Sequence, residues 1–242
     1  MTVPTYDQPG ALARAATWIE NGAPEAAALL SALGGHTGHA LVVGITGPPG
    51  AGKSTLCDQL IQLLRAEQQR VAVIAVDPSS PVSGGAMLGD RIRMQRHHGD
   101  PGVFIRSMAT RGCPGGLAHS TRGITALFAS AGFDVVIIET AGVGQAEIEI
   151  AGLAEVTVLV LVPGSGDEVQ AMKAGIMEIA QVFAINKGDL PGADLLASHV
   201  HAATARPAGG SPAIVKVVAL EGRGVPQLLE AVRRARKNRS EN

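Results

Sequence analysis

A chain of 242 residues with 46% hydrophobic residues and a formal net charge of −1 can bury one sizeable core, and two full domains would be a tight fit. The near-zero net charge excludes a strong overall field toward nucleic acid or an anionic membrane. Aromatic residues make up only 2% of the chain, which argues against the stacking platforms of single-strand nucleic-acid binders. We therefore expect no nucleic acid and no membrane among the partners.

The cysteines and the apolar runs bear on the cellular compartment. Cys57 and Cys113 give neither a disulfide framework nor a metal-ligand spacing, as is typical of proteins in a reducing interior. Residues 1–10 lack the charged and apolar regions of a signal peptide. The apolar runs stop after about six to eight residues, well short of a membrane span. These features predict a cytoplasmic protein.

The first predicted elements are helical. Residues 11–33 are rich in Ala and Leu and contain a break signal, NGAP, at 21–24, which predicts one or two helices. Residues 34–39 have the composition of a linker. We therefore predict an N-terminal helical extension and linker over residues 1–39, followed by a larger domain over residues 40–242.

Beyond residue 39, runs rich in Val and Ile alternate with helix-compatible segments. The runs are mostly apolar without polar alternation, so each predicts a strand buried on both faces. The alternation predicts βαβ units, an α/β fold with a mostly parallel sheet and helices on both faces. The predicted strands are 40–45, 71–76, 135–138, 156–162, 181–185 and 213–218, with a further short strand at 103–107, and the predicted helices are 53–67, 116–131, 169–180, 193–202 and 225–236.

The segment GPPGAGKS at 47–54 lies directly between the first of these strands and a helix. It matches the phosphate-loop pattern G-x-x-x-x-G-K-[ST] in the strand–loop–helix setting that the pattern requires. Its glycines let backbone N–H groups curl around phosphate oxygens, and the helix start adds a positive dipole end. The pattern predicts that Lys53 binds the β- and γ-phosphates, that Ser54 binds Mg²⁺ and that Thr55 binds the α-phosphate. The predicted phosphate-binding residues are Gly47, Pro48, Pro49, Gly50, Ala51, Gly52, Lys53, Ser54 and Thr55.

The tetrapeptide NKGD at 186–189 follows a late strand and fits the guanine-reading pattern N-K-x-D. A carboxylate at Asp189 can accept from both the ring N1–H and the exocyclic amine of guanine, a donor pair that adenine lacks. Asn186 can fix the loop, and the stem of Lys187 can pack over the base. In a phosphate-loop chain this pattern favours GTP over ATP. Ala219 and Leu220 occupy the place of a last base-contacting loop.

Acidic residues follow two of the predicted strands. Asp77 and Glu139 end strands whose carboxyl ends should face the phosphate loop, and either can hold Mg²⁺ directly or through water. Asp90, in a loop rich in Ser, Pro and Gly, can join them when that loop orders. In ETAG at 139–142, a switch-like segment, the N–H of Gly142 is predicted to contact the γ-phosphate, and Gln145 is a candidate for orienting the attacking water. The candidate catalytic residues are Lys53, Asp90, Glu139 and Gln145, and the candidate Mg²⁺ ligands are Ser54, Asp77 and Glu139, with Asp90 left open at this point.

Several longer segments resemble the MeaB/ArgK family, the G-protein chaperones of cobalamin-dependent acyl-CoA mutases. These are VDPSSP at 76–81, GGAMLGDR at 84–91, ETAGVGQ at 139–145 and PGSGDEVQ at 163–170. The resemblance implies that GTP binding and slow hydrolysis gate adenosylcobalamin delivery to a methylmalonyl-CoA-type mutase and protect that mutase from inactivation. It also implies that Ser54, Asp77, Asp90 and Glu139 hold Mg²⁺ in different nucleotide states. Loop 163–170 resembles the family's third switch, which carries the signal to the mutase.

The resemblance also bears on other partners and on rival functions. A cobalamin adenosyltransferase is a second candidate partner, and family members form homodimers through a C-terminal helical arm, whereas this sequence ends soon after Arg236. One rival is a nickel-inserting GTPase, which needs a cluster of thiolate or imidazole ligands; Cys113 has no second cysteine nearby. A second is a P-loop kinase acting on a small molecule, against which the NKGD segment argues. A third is a nucleotide-binding scaffold without turnover, against which the presence of Lys53, Ser54 and Glu139 argues.

Overall fold

The computed structural model describes residues 2–34, 39–77, 95–97, 99–109, 116–140, 142, 149, 152–164, 176–205 and 211–240. The elements in chain order are α1 (Pro9–Asn21), α2 (Pro24–Leu33), β1 (Leu41–Thr46), α3 (Lys53–Ala66), β2 (Val71–Asp77), a 3₁₀ turn (Gln95–His97), β3 (Val103–Ala109), α4 (Gly116–Ser130), β4 (Val135–Thr140), β5 (Val156–Leu161), α5 (Ile176–Ile179), β6 (Val182–Ile185), α6 (Ala193–Thr204), β7 (Ala213–Lys216), a second 3₁₀ turn (Ala219–Glu221) and α7 (Val225–Ser240). Of the helix predicted over 169–180, the part before residue 176 lies outside the described residues.

The seven strands form one sheet in the order β3-β2-β4-β1-β5-β6-β7. Every strand pair whose register is described is parallel: β1 with β5, β2 with β3, β5 with β6, and β6 with β7. The predicted α/β fold with a parallel sheet is therefore confirmed, and so is the short strand that begins at Val103. Since β1 is the central strand, the segment that follows it leaves the sheet at its middle, where ligands of such sheets bind.

Burial separates the central strands from the edge strands. Strands β1, β4, β5 and β6 are buried along their whole length, as their unbroken apolar runs predict. The edge strand β3 is only half-buried over most of its length, and β7 runs from half-buried to exposed. The prediction of complete burial for 213–218 was therefore wrong for Ala213–Lys216, because an edge strand has a neighbour on one side alone.

The contacts divide the chain into two compact units, residues 1–42 with 61–139 and residues 43–60 with 140–242. In the first unit, α1 and α2 pack on α4. At Gly123 of α4, an added Cβ would lie 2.8 Å from Ile19 and 3.0 Å from Leu30, so glycine allows these helices to approach closely. The buried face of α1 consists of Leu12, Ala15, Ala16 and Ile19, the spacing of an amphipathic helix. The boundary at residues 39 and 40 stays a prediction.

In the second unit, β5 and β6 carry the main apolar core. Leu159, Phe183 and Ile185 pack with residues of α5 and α6, and α7 lies against β5, β6 and β7. The basic end of α7 has protein partners: Arg236 pairs with Glu155 at 3.2 Å, and Arg239 donates to the Glu155 carbonyl at 2.8 Å. None of the helices in the described part has the length and hydropathy needed to cross a bilayer.

A charged contact in the first unit ties the end of α3 to the turn before β3. Arg65 donates to both carboxylate oxygens of Asp100, at 2.9 and 3.0 Å, and the Gly102 N–H donates to the same carboxylate at 2.8 Å. The hydrogen bond from Arg65 holds the pKa of Asp100 below its ordinary value, and it outweighs the opposite effect of partial burial. The charged form of Asp100 therefore stabilises the folded state.

We expect Asp100→Asn to lower the free energy of unfolding at neutral pH by about 1–2 kcal/mol, because charge-assisted hydrogen bonds are lost. The folded-state pKa lies below the unfolded one, so this contribution is complete above about pH 5 and declines as the pH falls through the folded pKa. Urea denaturation at several pH values measures both effects. The control Asp194→Asn removes an ion pair with Lys216 whose carboxylate is 89% exposed and should change little. A stability difference for Asp100→Asn that does not narrow on acidification would contradict this assignment.

Candidate nucleotide-binding site

The loop after β1 lies tightly against β5, and its glycines are required for that approach. A Cβ on Gly47 would lie 2.2 Å from the Val160 carbonyl oxygen, and Gly47 has a φ of +147°. Gly50 and Gly52 have φ values of +76° and +86°, in the left-handed region that favours glycine. The loop can therefore take its curled path only with glycine at these positions.

Lys53 is held inside this loop. Its Nζ donates to the Gly47 carbonyl at 2.8 Å and to the Pro48 carbonyl at 3.0 Å, and the residue is only 7% exposed. Lys53 and the buried Ser54 open helix α3, and the N–H groups and dipole of a helix start favour an anion. The ammonium and the helix start thus concentrate positive potential in a loop of phosphate-binding shape.

Asn186 joins three loops that are far apart in the sequence. Its Nδ2 donates to the Ala51 carbonyl at 2.7 Å, and its Oδ1 accepts from the Ala219 N–H at 3.0 Å. The side chain is 3% exposed, so water cannot readily replace these hydrogen bonds. A Cβ on Gly52 would lie 2.4 Å from Nδ2, which explains why glycine is needed beside the amide. The phosphate loop, the NKGD loop and the last loop are therefore fixed relative to one another.

A cavity of about 420 Å³ opens between these loops. The predicted base-reading residues Asn186, Lys187, Asp189, Ala219 and Leu220 all line it. Asp189 is exposed, as a base-reading carboxylate must be to meet a ligand, and Leu220 is 85% exposed. Sequence reasoning missed Leu190, which directly follows the NKGD segment, and placed Val218 and Glu221 in the last loop without assigning them a contact. Among the described residues, the lining consists of Gly50, Gly52, Thr55, Asn186, Lys187, Asp189, Leu190, Val218, Ala219, Leu220 and Glu221.

Only some of the residues predicted to bind Mg²⁺ or to orient water are among the described residues. Glu139 lies in β4 and is buried, with 3% exposure. Asp77 is the last residue of β2, while Asp90 and Gln145 lie outside the described residues. The Ser54 hydroxyl and the Glu139 carboxylate are hard oxygen donors of the kind that Mg²⁺ binds, so their chemistry fits this ion. Among the described residues, no group of three or more His, Cys, Asp or Glu side chains is placed to hold a metal.

Gly142, the predicted γ-phosphate contact, is anchored by two threonines that sequence reasoning did not identify. Thr46, the last residue of β1, donates to the Gly142 carbonyl at 2.9 Å, and Thr140, the last residue of β4, donates to the Thr46 hydroxyl at 3.0 Å. The sequence does contain a signal for Thr46: a threonine that ends a buried strand next to the phosphate loop needs a hydrogen-bond partner. It does not indicate which residue that partner is.

Comparison with known proteins agrees with this geometry. A sequence model of the MeaB family, described as methylmalonyl Co-A mutase-associated GTPase MeaB, matches residues 12–242. A putative GTPase of Pyrococcus horikoshii is 49% identical over 233 residues, which cover 94% of this chain and 74% of that protein. The GTPase ArgK of Escherichia coli is 39% identical over 232 residues, which cover 91% of this chain and 70% of that protein.

Two solved structures show the same fold. An LAO/AO transport system kinase superposes with a TM-score of 0.72 at 29% identity, over 97% of this chain and 77% of that chain. The hydrogenase maturation factor HypB of Archaeoglobus fulgidus superposes with a TM-score of 0.60 over 93% of this chain and 98% of that chain. At 16% identity the likeness to HypB shows the fold alone.

The glycine-dependent loop around a buried lysine, on the central strand of a parallel sheet, defines a P-loop nucleoside triphosphatase, and the relatives identify it as a GTPase. Within that class the family is established by a match that spans most of the sequence. The chain belongs to the MeaB family of methylmalonyl-CoA mutase-associated GTPases.

We expect Gly52→Ala to weaken GDP binding by roughly 10- to 100-fold. The new Cβ would displace the Asn186 amide and both of its hydrogen bonds, each of which contributes about 0.5–1.5 kcal/mol. Isothermal titration calorimetry measures the change. Gly22→Ala is the control, since Gly22 also has a positive φ but an added Cβ there meets nothing within 4 Å. GDP affinity equal to that of the unmodified chain in Gly52→Ala would contradict the role given to Asn186.

Proposed function

We propose that this chain is a GTP-hydrolysing metallochaperone that gates the loading of adenosylcobalamin into a cobalamin-dependent acyl-CoA mutase and protects that mutase, acting in the cytoplasm. The observation that carries the proposal is the family match over residues 12–242, whose description names a mutase-associated GTPase. The site supports it physically, because Asn186 joins the loops proposed to bind phosphate and base. A nucleotide that bridges these loops can couple its own state to the surrounding chain.

In the proposed mechanism, the guanine base enters the cavity between the NKGD loop and the last loop. Asp189 accepts from the N1–H and the exocyclic amine, and this paired acceptor discriminates against adenine. Lys187 and Leu220 cover the two faces of the base with apolar surface. The two hydrogen bonds of Asn186 keep Asp189 at a fixed distance from the phosphate loop. The base and the phosphates of one nucleotide can therefore be bound at the same time.

The phosphates occupy the loop around Lys53 in this proposal. The Lys53 ammonium and the backbone N–H groups of residues 50–55 stabilise the negative charge that spreads over the β- and γ-phosphates. Ser54 would hold Mg²⁺, with Asp77, Asp90 and Glu139 contributing in different nucleotide states. The bound ion would neutralise charge on the phosphate oxygens. The Gly142 N–H contacts the γ-phosphate, and Gln145 orients the attacking water.

Replacement of Asp189 by asparagine tests base reading. The introduced side-chain amide would donate where guanine also donates, so we expect GTP affinity to fall roughly 100-fold, while xanthosine triphosphate, with a carbonyl at that position, binds better. Competition of both nucleotides against a fluorescent GDP analogue measures the shift. Glu221→Gln is a matched control, because this second carboxylate of the cavity is already paired with Arg223 at 2.6 Å. Unchanged selectivity in the Asp189 variant would remove Asp189 from base reading.

The partner is tested with a purified cobalamin-dependent acyl-CoA mutase. We expect it to raise GTP turnover by at least about threefold, and to co-purify with the full chain differently in GDP and in a slowly hydrolysed GTP analogue. Adenosylcobalamin loading, followed by absorbance, should require hydrolysable GTP.

A cobalamin adenosyltransferase is assayed in parallel, and size-exclusion chromatography reports the proposed homodimer. No nucleotide-dependent effect on any mutase tested would contradict the chaperone function.

A second candidate function is phosphoryl transfer to a small molecule, since a structurally similar chain is described as a transport system kinase. Labelled γ-phosphate appearing on an added metabolite rather than as inorganic phosphate would favour this function. Nickel insertion is disfavoured by the family match. Retention of nickel by the purified chain, released on GTP addition, would instead support it.

A further inference from the structure

Three groups at the carboxyl ends of β1 and β4 form a connected hydrogen-bonded set that we name the threonine clasp: Thr46, Thr140 and the Gly142 carbonyl. Thr46 donates to Gly142 O at 2.9 Å, Thr140 donates to the Thr46 hydroxyl at 3.0 Å, and the Thr140 hydroxyl lies 3.4 Å from Gly142 O. Thr46 is 0% exposed and Thr140 1% exposed. Both hydroxyls are therefore out of reach of bulk water.

The proton count in the clasp gives the two threonines different roles. Each hydroxyl has one proton to donate, and the proton of Thr46 is directed to the Gly142 carbonyl. The proton of Thr140 then belongs to its shorter contact, the Thr46 oxygen. Thr46 is thus the direct anchor of Gly142, and Thr140 orients and polarises the Thr46 hydroxyl.

Packing alone does not require hydroxyls at these positions. A valine has nearly the volume of a threonine and suits a buried strand better. The distinct contribution of these side chains is therefore their hydrogen bonds, from Thr46 to the Gly142 carbonyl and from Thr140 to the Thr46 hydroxyl. Glycine has the greatest backbone freedom of any residue, and a switch glycine without an anchor would sample many orientations. Thr46 directly precedes Gly47, the first residue of the phosphate loop. Its hydrogen bond therefore connects Gly142 to the strand that carries this loop.

We propose that Thr46 and Thr140 are positioning residues for GTP hydrolysis, holding Gly142 where its N–H meets the γ-phosphate. The clasp deepens the proposed function, since it rests on the γ-phosphate role given to Gly142. GDP has no γ-phosphate, so the clasp affects GTP binding and hydrolysis and leaves GDP binding nearly unchanged. Direct anchoring by Thr46 and indirect support by Thr140 predict a rank order of effects.

The test compares Thr46→Val, Thr140→Val, the double variant and Thr46→Ser in the full chain without any mutase. We expect Thr46→Val to lower kcat for GTP hydrolysis about tenfold and Thr140→Val about threefold, as for one direct and one indirect hydrogen bond. Thr46→Ser should restore most of the rate. The affinity for a slowly hydrolysed GTP analogue should fall with kcat, while GDP affinity stays within about twofold. The fold-loss of kcat in the double variant should be smaller than the product of the two single fold-losses, because the two residues act as a unit.

Thr125→Val is the matched control, since Thr125 is a buried threonine of α4 that donates to the Thr121 carbonyl at 2.8 Å. It should lower the melting temperature with kcat unchanged. A Thr46→Val chain that melts early but keeps the kcat and the GTP-to-GDP preference of the unmodified chain would overturn the proposal. If Thr46→Val does not fold, an unchanged kcat in Thr140→Val overturns it equally. Failure of every mutase to respond would remove the chaperone function and leave these mutase-free results standing.

Discussion

The site depends on one buried amide. Asn186 donates to the carbonyl of Ala51 and accepts from the N–H of Ala219, so a single side chain satisfies backbone groups of two loops that no strand pairing connects. A lost partner would leave buried polar groups unsatisfied, which costs more than a surface hydrogen bond gains. This asymmetry makes the arrangement of the three loops well defined, and the cavity between them keeps its shape.

The path of the phosphate loop is also constrained, here by close packing rather than by hydrogen bonds. Gly47 lies against the Val160 carbonyl and Gly52 against the Asn186 amide, at distances that exclude any Cβ. The loop is therefore packed against β5 at Gly47 and against the NKGD loop at Gly52. Lys53, bonded to two carbonyls of the same loop, brings a positive charge into a partly desolvated place, where its attraction for phosphate is stronger than at the surface.

Family membership and local geometry support different parts of the functional account. The match over residues 12–242 assigns the chain to a family of GTPases whose description names an association with methylmalonyl-CoA mutase. The geometry explains how a nucleotide can be held, and the threonine clasp offers a way for the phosphate end to be read by Gly142. The proposed chaperone function requires the chain to distinguish GTP from GDP, and the threonine clasp is the part of the geometry proposed to do so.

The sequence by itself determined the parallel α/β fold, the phosphate loop and the guanine motif, because each has a local signal: unbroken apolar runs, glycines at fixed spacing, and a short polar tetrapeptide after a strand. The half-burial of β7, the contact between Gly52 and Asn186, and the anchoring of Gly142 by Thr46 were decided only by the tertiary structure. Residues 46 and 142 are far apart in the chain, and nothing local to either predicts the other. Long-range contacts of this kind depend on the strand order, which brings the ends of β1 and β4 side by side.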